Sequence, residues 1–220
     1  MKKTLFAVVA GSTLALSATV VCADIGVNVK AGTLGAGVEL SKGLSDKLSV
    51  GLAFNSYNLK TTDTTNQVDY DYEFKLQTVG LLANYHPFSG IFHMTAGVLV
   101  NNNELSLTGK PTAGSTYTIN GTSYTAAQVG SLTGKLTFSK TSPYLGLGWG
   151  SRPNGSFGLT ADIGALYQNS PKLALNSSGG TLSSDSTFLS RLEAERVTAE
   201  SELSDFKWYP VVSVGLYFRF

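Results

Sequence analysis

The chain has 220 residues, with 16 lysines and arginines against 15 aspartates and glutamates, so its charges nearly balance. Charged residues make up only 14% of the chain, whereas it contains 24 glycines, 10 tyrosines and 11 phenylalanines. This composition excludes a strongly basic nucleic-acid-binding surface and a charge excess aimed at anionic lipid. We therefore expect no nucleic-acid partner.

The N-terminus has the pattern of a secretory signal. A basic start at residues 1–3 is followed by an apolar run and by a cleavage pattern ending at Ala23. A lipoprotein reading would make Cys22 the acylated residue, but Val21 is bulky where that processing prefers a small side chain. We predict that residues 1–23 are removed. The mature chain, residues 24–220, would then contain no cysteine and no disulfide.

The first mature segment, residues 25–42, changes its apolar phase. Apolar side chains occupy odd positions up to Ala31 and even positions from Leu34 onward. Such a flip indicates either a bulge or a tight turn. An even strand number with both termini on one side favours two strands joined near 31–34.

Six further strands follow, each with apolar residues alternating with polar or small ones. A period of two sustained this often is typical of half-buried strands. No apolar run after the signal approaches the roughly 20 residues that a membrane helix needs. The predicted strands are 48–60, 68–86, 91–108, 132–150, 156–168 and 207–220.

The connections alternate in length. Outer-membrane barrels have short periplasmic turns and long outer loops. This pattern predicts that the last strand runs toward the periplasm and ends there at Phe220. The short turns are 43–47, 87–90 and 151–155, and the long polar links are 61–67, 109–131 and 169–206.

Two long links have a local pattern of their own. The Asn120-Gly121 pair suits a type I′ turn and predicts a hairpin over 116–124. Residues 185–204 predict a helix, because an apolar stripe that includes Phe188 and Leu192 runs through a charged segment. It is too polar to cross lipid, so we expect it to cap the barrel mouth or to lie in the loop.

The final ten residues carry the strongest signal. Val212, Val214, Leu216, Phe218 and Phe220 share one face, and polar or small residues occupy the other. A buried terminal strand of a soluble sandwich is the alternative, but it would leave an uncovered apolar edge. A barrel in lipid uses this pattern with its apolar side chains outward. We expect Leu216, Phe218 and Phe220 to be the signal recognised by the barrel-assembly machinery.

Several charged side chains are predicted to face the lumen or the outer mouth. In a lumen they are unfavourable unless paired or hydrated. They could attract a cationic solute, or they could form an internal salt-bridge network. Since eight strands leave an interior about wide enough for side chains alone, the network is favoured, with a remaining acidic vestibule at 69–73. These residues are Glu39, Asp69, Asp71, Glu73, Lys75, Lys135, Asp162 and Arg219.

Enzyme chemistry is not indicated. His86 and His93 flank a predicted periplasmic turn, whereas an outer-membrane lipase or protease would need its histidine near the outer leaflet. No cluster of His, Asp and Glu has metal-ligand spacing. We therefore expect no catalytic residues, no metal and no cofactor.

The second half of the sequence resembles the CarO-type small outer-membrane barrels, described as ornithine or basic amino-acid uptake porins. The resemblance covers roughly residues 80–220 and implies an eight-stranded barrel that takes up solutes, with no substrate residues to carry over. The ordered matches are Asn120-Gly121 with Tyr124, Gly134-Lys135, 143–148, Tyr167, Pro171-Lys172 with Leu175, Glu193 with Glu195-Arg196, and Lys207-Trp208 with Pro210-Val211.

The sequence thus predicts an all-β fold, an eight-stranded antiparallel transmembrane β-barrel formed by residues 24–220. Short periplasmic turns, long outer loops and a short helix in the last outer loop complete it. We expect a monomer in outer-membrane lipid with porin-like uptake of small solutes; the resemblance adds basic amino acids such as ornithine as cationic candidates. The alternative is a non-transport envelope protein, either a structural barrel or a surface-binding adhesion protein acting through its outer loops.

Overall fold

The computed structural model describes residues 25–65, 68–112, 114–150 and 156–220. The predicted signal, 1–23, and the predicted turn at 151–155 lie outside the described residues. In chain order the elements are β1 (Ile25–Gly32), β2 (Gly35–Ser45), β3 (Leu48–Thr65), β4 (Val68–Tyr85), β5 (Phe92–Asn101), β6 (Glu104–Pro111), β7 (Thr116–Ile119), β8 (Thr122–Thr125), α1 (Ala126–Val129), β9 (Gly130–Thr137), β10 (Thr141–Trp149), β11 (Phe157–Tyr167), β12 (Lys172–Gly179), α2 (Ser186–Glu202) and β13 (Trp208–Arg219).

Eight of these strands close an antiparallel barrel in the order β1, β2, β3, β4, β5, β10, β11 and β13. The last strand pairs with the first, so that Val27 lies opposite Phe218. Because the ring is closed, each of these eight strands has a hydrogen-bonded neighbour on both sides within the barrel. The predicted eight-stranded all-β barrel is confirmed.

The first two strands form the tight hairpin predicted from the phase flip. Gly32 pairs with Gly35, and Thr33 and Leu34 make the turn. The amide of Thr33 donates to the carbonyl of Val212 at 2.9 Å, which fastens the hairpin to β13. The flip is therefore a turn and not a bulge. We call the end of the barrel that carries this hairpin the loop end, and the opposite end the turn end.

The outward side chains of the barrel form an exposed apolar belt. Leu52 is 60% exposed, Leu159 is 74% exposed and Val214 is 62% exposed. A contiguous surface of this kind is larger than a soluble monomer normally leaves in water. Neither helix of the described residues is long and apolar enough to cross a membrane.

Beyond the loop end, one side of the barrel continues as a tall wall. β6, β9 and β12 extend the lines of β5, β10 and β11 after short breaks, and they join the far halves of β3 and β4 in a five-stranded sheet. The sequence predicted one strand over 91–108, where the structure has β5 and β6, and one strand over 132–150, where it has β9 and β10. It assigned β12 to a loop.

Opposite the wall, the barrel ends at the β1–β2 hairpin, so it extends less far on that side.

The wall is one side of a small module, which we call the cap. The cap consists of β6, β7, β8, β9, β12, α1, α2 and the far halves of β3 and β4. The predicted hairpin is present as β7 and β8, with Asn120 at φ 46° and Gly121 at φ 72°. The predicted helix is present as α2, which begins where the Asp185 carboxylate accepts the Phe188 amide at 2.8 Å. The cap has its own apolar core, formed by Val68, Tyr117, Ile119, Tyr124, Val129, Phe188 and Leu192.

Candidate functional site in the barrel lumen

A charged cluster lies across the middle of the lumen. The Lys30 ammonium on β1 forms an ion pair with Glu39 on β2. Its Nζ also lies 3.9 Å from Oδ2 of Asp162 on β11. All three side chains are at least 87% buried, so water screens these charges much less than it would at a surface.

Neutral side chains add further hydrogen bonds to both carboxylates. Asn84 Nδ2 donates to Glu39 Oε1 at 3.2 Å, and Thr95 in turn donates to Asn84 at 2.7 Å. Ser213 Oγ donates to Asp162 Oδ2 at 3.1 Å. Buried charges are tolerated when their lone pairs are satisfied in this way.

The two histidines lie at the base of this cluster, toward the turn end. His93 Nε2 lies 3.2 Å from Asp162 Oδ1, and the rings of His86 and His93 are 5.1 Å apart. His86 Nδ1 donates to the Gly90 carbonyl at 3.1 Å. Within the described ranges, no group of three or more His, Cys, Asp or Glu side chains is placed to hold a metal ion.

An apolar layer closes the lumen between the charged cluster and the loop end. Its residues come from β3, β4, β5, β10, β11 and β13 and from the turn between β1 and β2. Tyr209 packs against the layer, and its hydroxyl donates to the Thr33 carbonyl at 2.5 Å. The layer consists of Leu34, Ala53, Leu82, Leu99, Tyr144, Leu166 and Val211.

The space left inside the barrel is small. The lumen cavity holds about 60 Å³, where one buried water needs roughly 10–15 Å³. It is lined by the charged cluster and continues toward the turn end past Ser41, Gly43 and Arg219. A few waters fit there, but an amino acid does not pass in this state.

Three of the charged residues predicted for the lumen line this cavity, namely Glu39, Asp162 and Arg219. The other five, Asp69, Asp71, Glu73, Lys75 and Lys135, lie on the outer face of the wall. The inward positions of β4 are the even ones, as the burial of Leu76, Thr78 and Leu82 establishes.

The expected inward phase of residues 69–75 was therefore incorrect, and the physical reason lies in the surroundings of the wall. Above the barrel, Val68 and the inward side of Tyr70 pack beneath the cap, so the apolar face of β4 turns inward. The charged face consequently meets solvent outside.

These outer charges form a ladder of ion pairs across the wall. Lys110 lies 2.7 Å from Asp71, and Lys135 lies 2.8 Å from Glu104. The hydrogen bond from Lys110 lowers the pKa of Asp71, and the bond from Thr62 adds to it. Because both signs alternate on an exposed surface, the acidic vestibule expected at residues 69–73 does not form there.

Lys30 is the charged lumen residue that the sequence interpretation missed. Its signal was present, because Val27 and Val29 on one face of β1 imply that Asn28 and Lys30 point to the other. The structure buries Asn28 to 6% exposure, where its Oδ1 accepts a hydrogen bond from Thr160 at 3.2 Å.

The predicted assembly residues lie on the outward face of β13 or at its end. Leu216 is 42% exposed, Phe218 is 38% exposed and Phe220 is 76% exposed. The Phe218 ring lies 5.1 Å from that of Phe157 on the neighbouring strand. The last strand thus presents the apolar face that the sequence predicted.

Neither a protein-family model nor a curated protein sequence matches this chain. Two solved structures from Acinetobacter baumannii have the same fold. CarO2 is 22% identical with a TM-score of 0.59, covering 90% of this chain and 99% of that one. CarO is 24% identical with a TM-score of 0.58, covering 90% of this chain and 98% of that one. The fold that the sequence resemblance implied is confirmed.

Proposed function

We propose that this chain is a bacterial outer-membrane β-barrel of the porin-like type. The observation that supports it is the combination of a closed barrel, an exposed apolar belt and a polar lumen. Lipid requires this arrangement, since every backbone group must be paired and the outward side chains must be apolar. The protein acts as a monomer, inserted by the barrel-assembly machinery through Leu216, Phe218 and Phe220.

The proposed activity is uptake of small cationic solutes, with basic amino acids such as ornithine as the candidates. Support comes from Glu39 and Asp162, two buried carboxylates whose side chains line the lumen cavity. The apolar layer makes this the closed state, so passage requires that layer to part. Lids and gates of this kind open on microsecond to millisecond timescales.

Flux into liposomes tests this proposal. Purified protein should admit ornithine or lysine faster than empty vesicles do, and faster than it admits glutamate. Leu166→Gly should increase the rate, because Leu166 is fully buried in the apolar layer. Leu159→Ala, on the outward face of the same strand, is the matched control. Rates equal to those of empty vesicles, with and without Leu166→Gly, would exclude uptake.

The alternative is a surface-binding envelope protein, and one observation favours it. The cap has an apolar core separate from that of the barrel, and it exposes Leu189, Val197 and Phe206 on or beside α2. In that case Leu189→Glu and Phe206→Glu should impair attachment of cells or capture of a ligand while the barrel stays intact. Unchanged attachment together with measurable flux would decide for uptake.

A further inference from the structure

We propose that the space between Glu39 and Asp162 is a binding site for a primary alkylammonium group, which the side chain of Lys30 fills from within the protein. Lys30 would then be a tethered occupant of the solute site. The inference rests on the proposed function only in placing this site on a solute path, and the binding itself can be measured without transport.

The first support is that the ammonium group and the two carboxylates come from different strands. The ammonium comes from β1, whereas the two carboxylates come from β2 and β11. Lys30 therefore reaches away from its own backbone into a site built by other strands. Its cross-strand neighbours on both sides are Gly37 and Gly215, which contribute no side chains beside it.

The second support is that each carboxylate has a neutral partner of its own. Glu39 is held by Asn84, and Asp162 is held by Ser213 and lies beside His93. Without Lys30, both carboxylates would keep these partners and remain in position. A pair of preorganised buried carboxylates that has lost its cation has a strong preference for another one.

The third support is access. The cavity that contains the cluster is lined toward the turn end by Ser41, Gly43 and Arg219, and six of the seven residues of the apolar layer line it as well. The side toward the turn end is therefore the one along which a small cation would reach the site without parting that layer. This places the site just below the closure, where a solute would lie before or after the layer opens.

The chemistry of the site selects the ligand class. An ammonium group carries three donors and a compact charge, and here it pairs with Glu39 and lies 3.9 Å from Asp162 Oδ2. A quaternary ammonium has the charge but no donors, and a carboxylate ligand would be repelled. The part of Lys30 beyond Cβ is a propylammonium group, so propylammonium is the matching probe.

The test is chemical rescue of Lys30→Ala, using the full mature chain in detergent. Breaking one side of a buried ion pair should lower Tm by roughly 10 °C. Propylammonium chloride at millimolar concentration should restore several degrees of this loss, because a ligand that binds only the folded state stabilises it. Sodium chloride and tetramethylammonium chloride at the same ionic strength should restore much less.

Matched variants isolate the site. Lys60→Ala removes the cation of the exposed pair with Glu73, whose Nζ–Oε1 distance is 3.1 Å, and it should show no response to propylammonium. Lys30→Ala combined with Glu39→Gln and Asp162→Asn should lose the rescue. A single Lys30→Ala variant that responds equally to all three salts, or that keeps the wild-type Tm, would overturn the proposal.

If Lys30→Ala does not fold, its refolding yield is measured with each of the three salts. A gain in yield specific to propylammonium supports the site, and no gain overturns it.

Measurements of flux distinguish this proposal from the proposed uptake function. Rescue without any ornithine flux would leave the ammonium site in place and reject uptake. Flux without rescue would keep uptake and reject the site.

Discussion

The outward faces of the barrel and of the cap have opposite polarity, and the strand β4 runs through both regions. In its barrel half the outward residues are apolar, as with Leu81, which is 61% exposed. In its cap half the outward residues are Asp69, Asp71 and Glu73, while Val68 is buried inside. The strand keeps one phase throughout. Polarity therefore reports the surroundings of the strand, which under the proposed function are lipid beside the barrel and water beside the cap.

The charges of the two regions differ in the same way. In the barrel, Lys30, Glu39 and Asp162 are buried together, so the loss of one partner leaves an uncompensated charge. On the cap wall, Lys110 and Asp71 form an exposed pair, and such pairs contribute little to stability because water and salt screen them. Buried charges thus specify the lumen, whereas the wall charges mainly keep its surface soluble.

Among the variants that compare the barrel with the cap, the largest loss of stability is expected in the cap core. Phe188 is 1% exposed, and its ring meets Tyr124 edge-on at 5.1 Å. Phe188→Ala should destabilise the cap by about 3–5 kcal/mol, because it leaves a cavity. Limited proteolysis should then cut the cap while the barrel keeps its heat-modifiable mobility on gels. Leu189→Ala, at a 43% exposed position of the same helix, is the control; if both regions unfolded together, they would not be independent.

The second largest effect is expected when a positive charge is introduced on the outer face, because its cost in stability should differ between the barrel and the cap. Leu52→Arg on the barrel half of β3 should lower the free energy of unfolding by about 2–4 kcal/mol, since the side chain faces lipid. Thr62→Arg lies on the same outward face of the same strand but above the belt, and it should change stability by less than about 0.5 kcal/mol. Urea unfolding from liposomes measures both. Equal costs at the two positions would contradict a lipid boundary between them.

A smaller effect is expected at the start of α2. Asp185→Ala removes the carboxylate that accepts the Phe188 amide, which should weaken the cap by about 1 kcal/mol. Hydrogen exchange of the first turn of α2 should accelerate, whereas exchange in β1 and β13 should stay unchanged. Asp185→Asn keeps an acceptor and should restore most of the protection. If both variants exchanged alike, the cap hydrogen bond would contribute nothing.

The smallest effect is a pH dependence confined to the cap. Hydrogen bonds from Arg196 lower the pKa of Glu193 below its ordinary value of 4.5. A lowered folded-state pKa stabilises α2 above the unfolded value, and this contribution is lost as the pH falls through the folded value. The protection of the α2 amides, measured as exchange relative to the intrinsic rate at each pH, should thus be constant near neutrality and fall only below pH 4.5. Glu193→Gln should remove that part of the fall, and a Glu193 titration at or above its ordinary value would contradict it.

Much of the barrel could be predicted because its strands are amphipathic in one consistent sense. The flip between Ala31 and Leu34 correctly indicated the β1–β2 hairpin, because a tight turn lets both strands keep their apolar faces outward. The Asn120-Gly121 turn was found from backbone preference, and the helix after Asp185 was found from its apolar stripe. These features depend on neighbours within a few residues, which the sequence displays directly.

The cap wall was harder to predict for a physical reason. Residues 69–75 alternate as clearly as any strand, but alternation alone does not say which side is wet. The strand β12 likewise reads as a polar loop, because its outward residues face water and its inward Leu173 and Leu175 are few. The position of the lipid boundary decides these assignments, and it is set by the whole assembly.

By itself, the sequence determined that the chain forms short two-faced strands, that its last ten residues form one of them, and where the β1–β2 and Asn120-Gly121 turns fall. These follow from side-chain period and backbone preference, which are local properties. The tertiary structure alone decided which charges meet in the lumen, since Lys30, Glu39 and Asp162 lie on three strands. It also decided how high the wall rises and which face of β4 turns inward, because these depend on contacts between residues far apart in the chain.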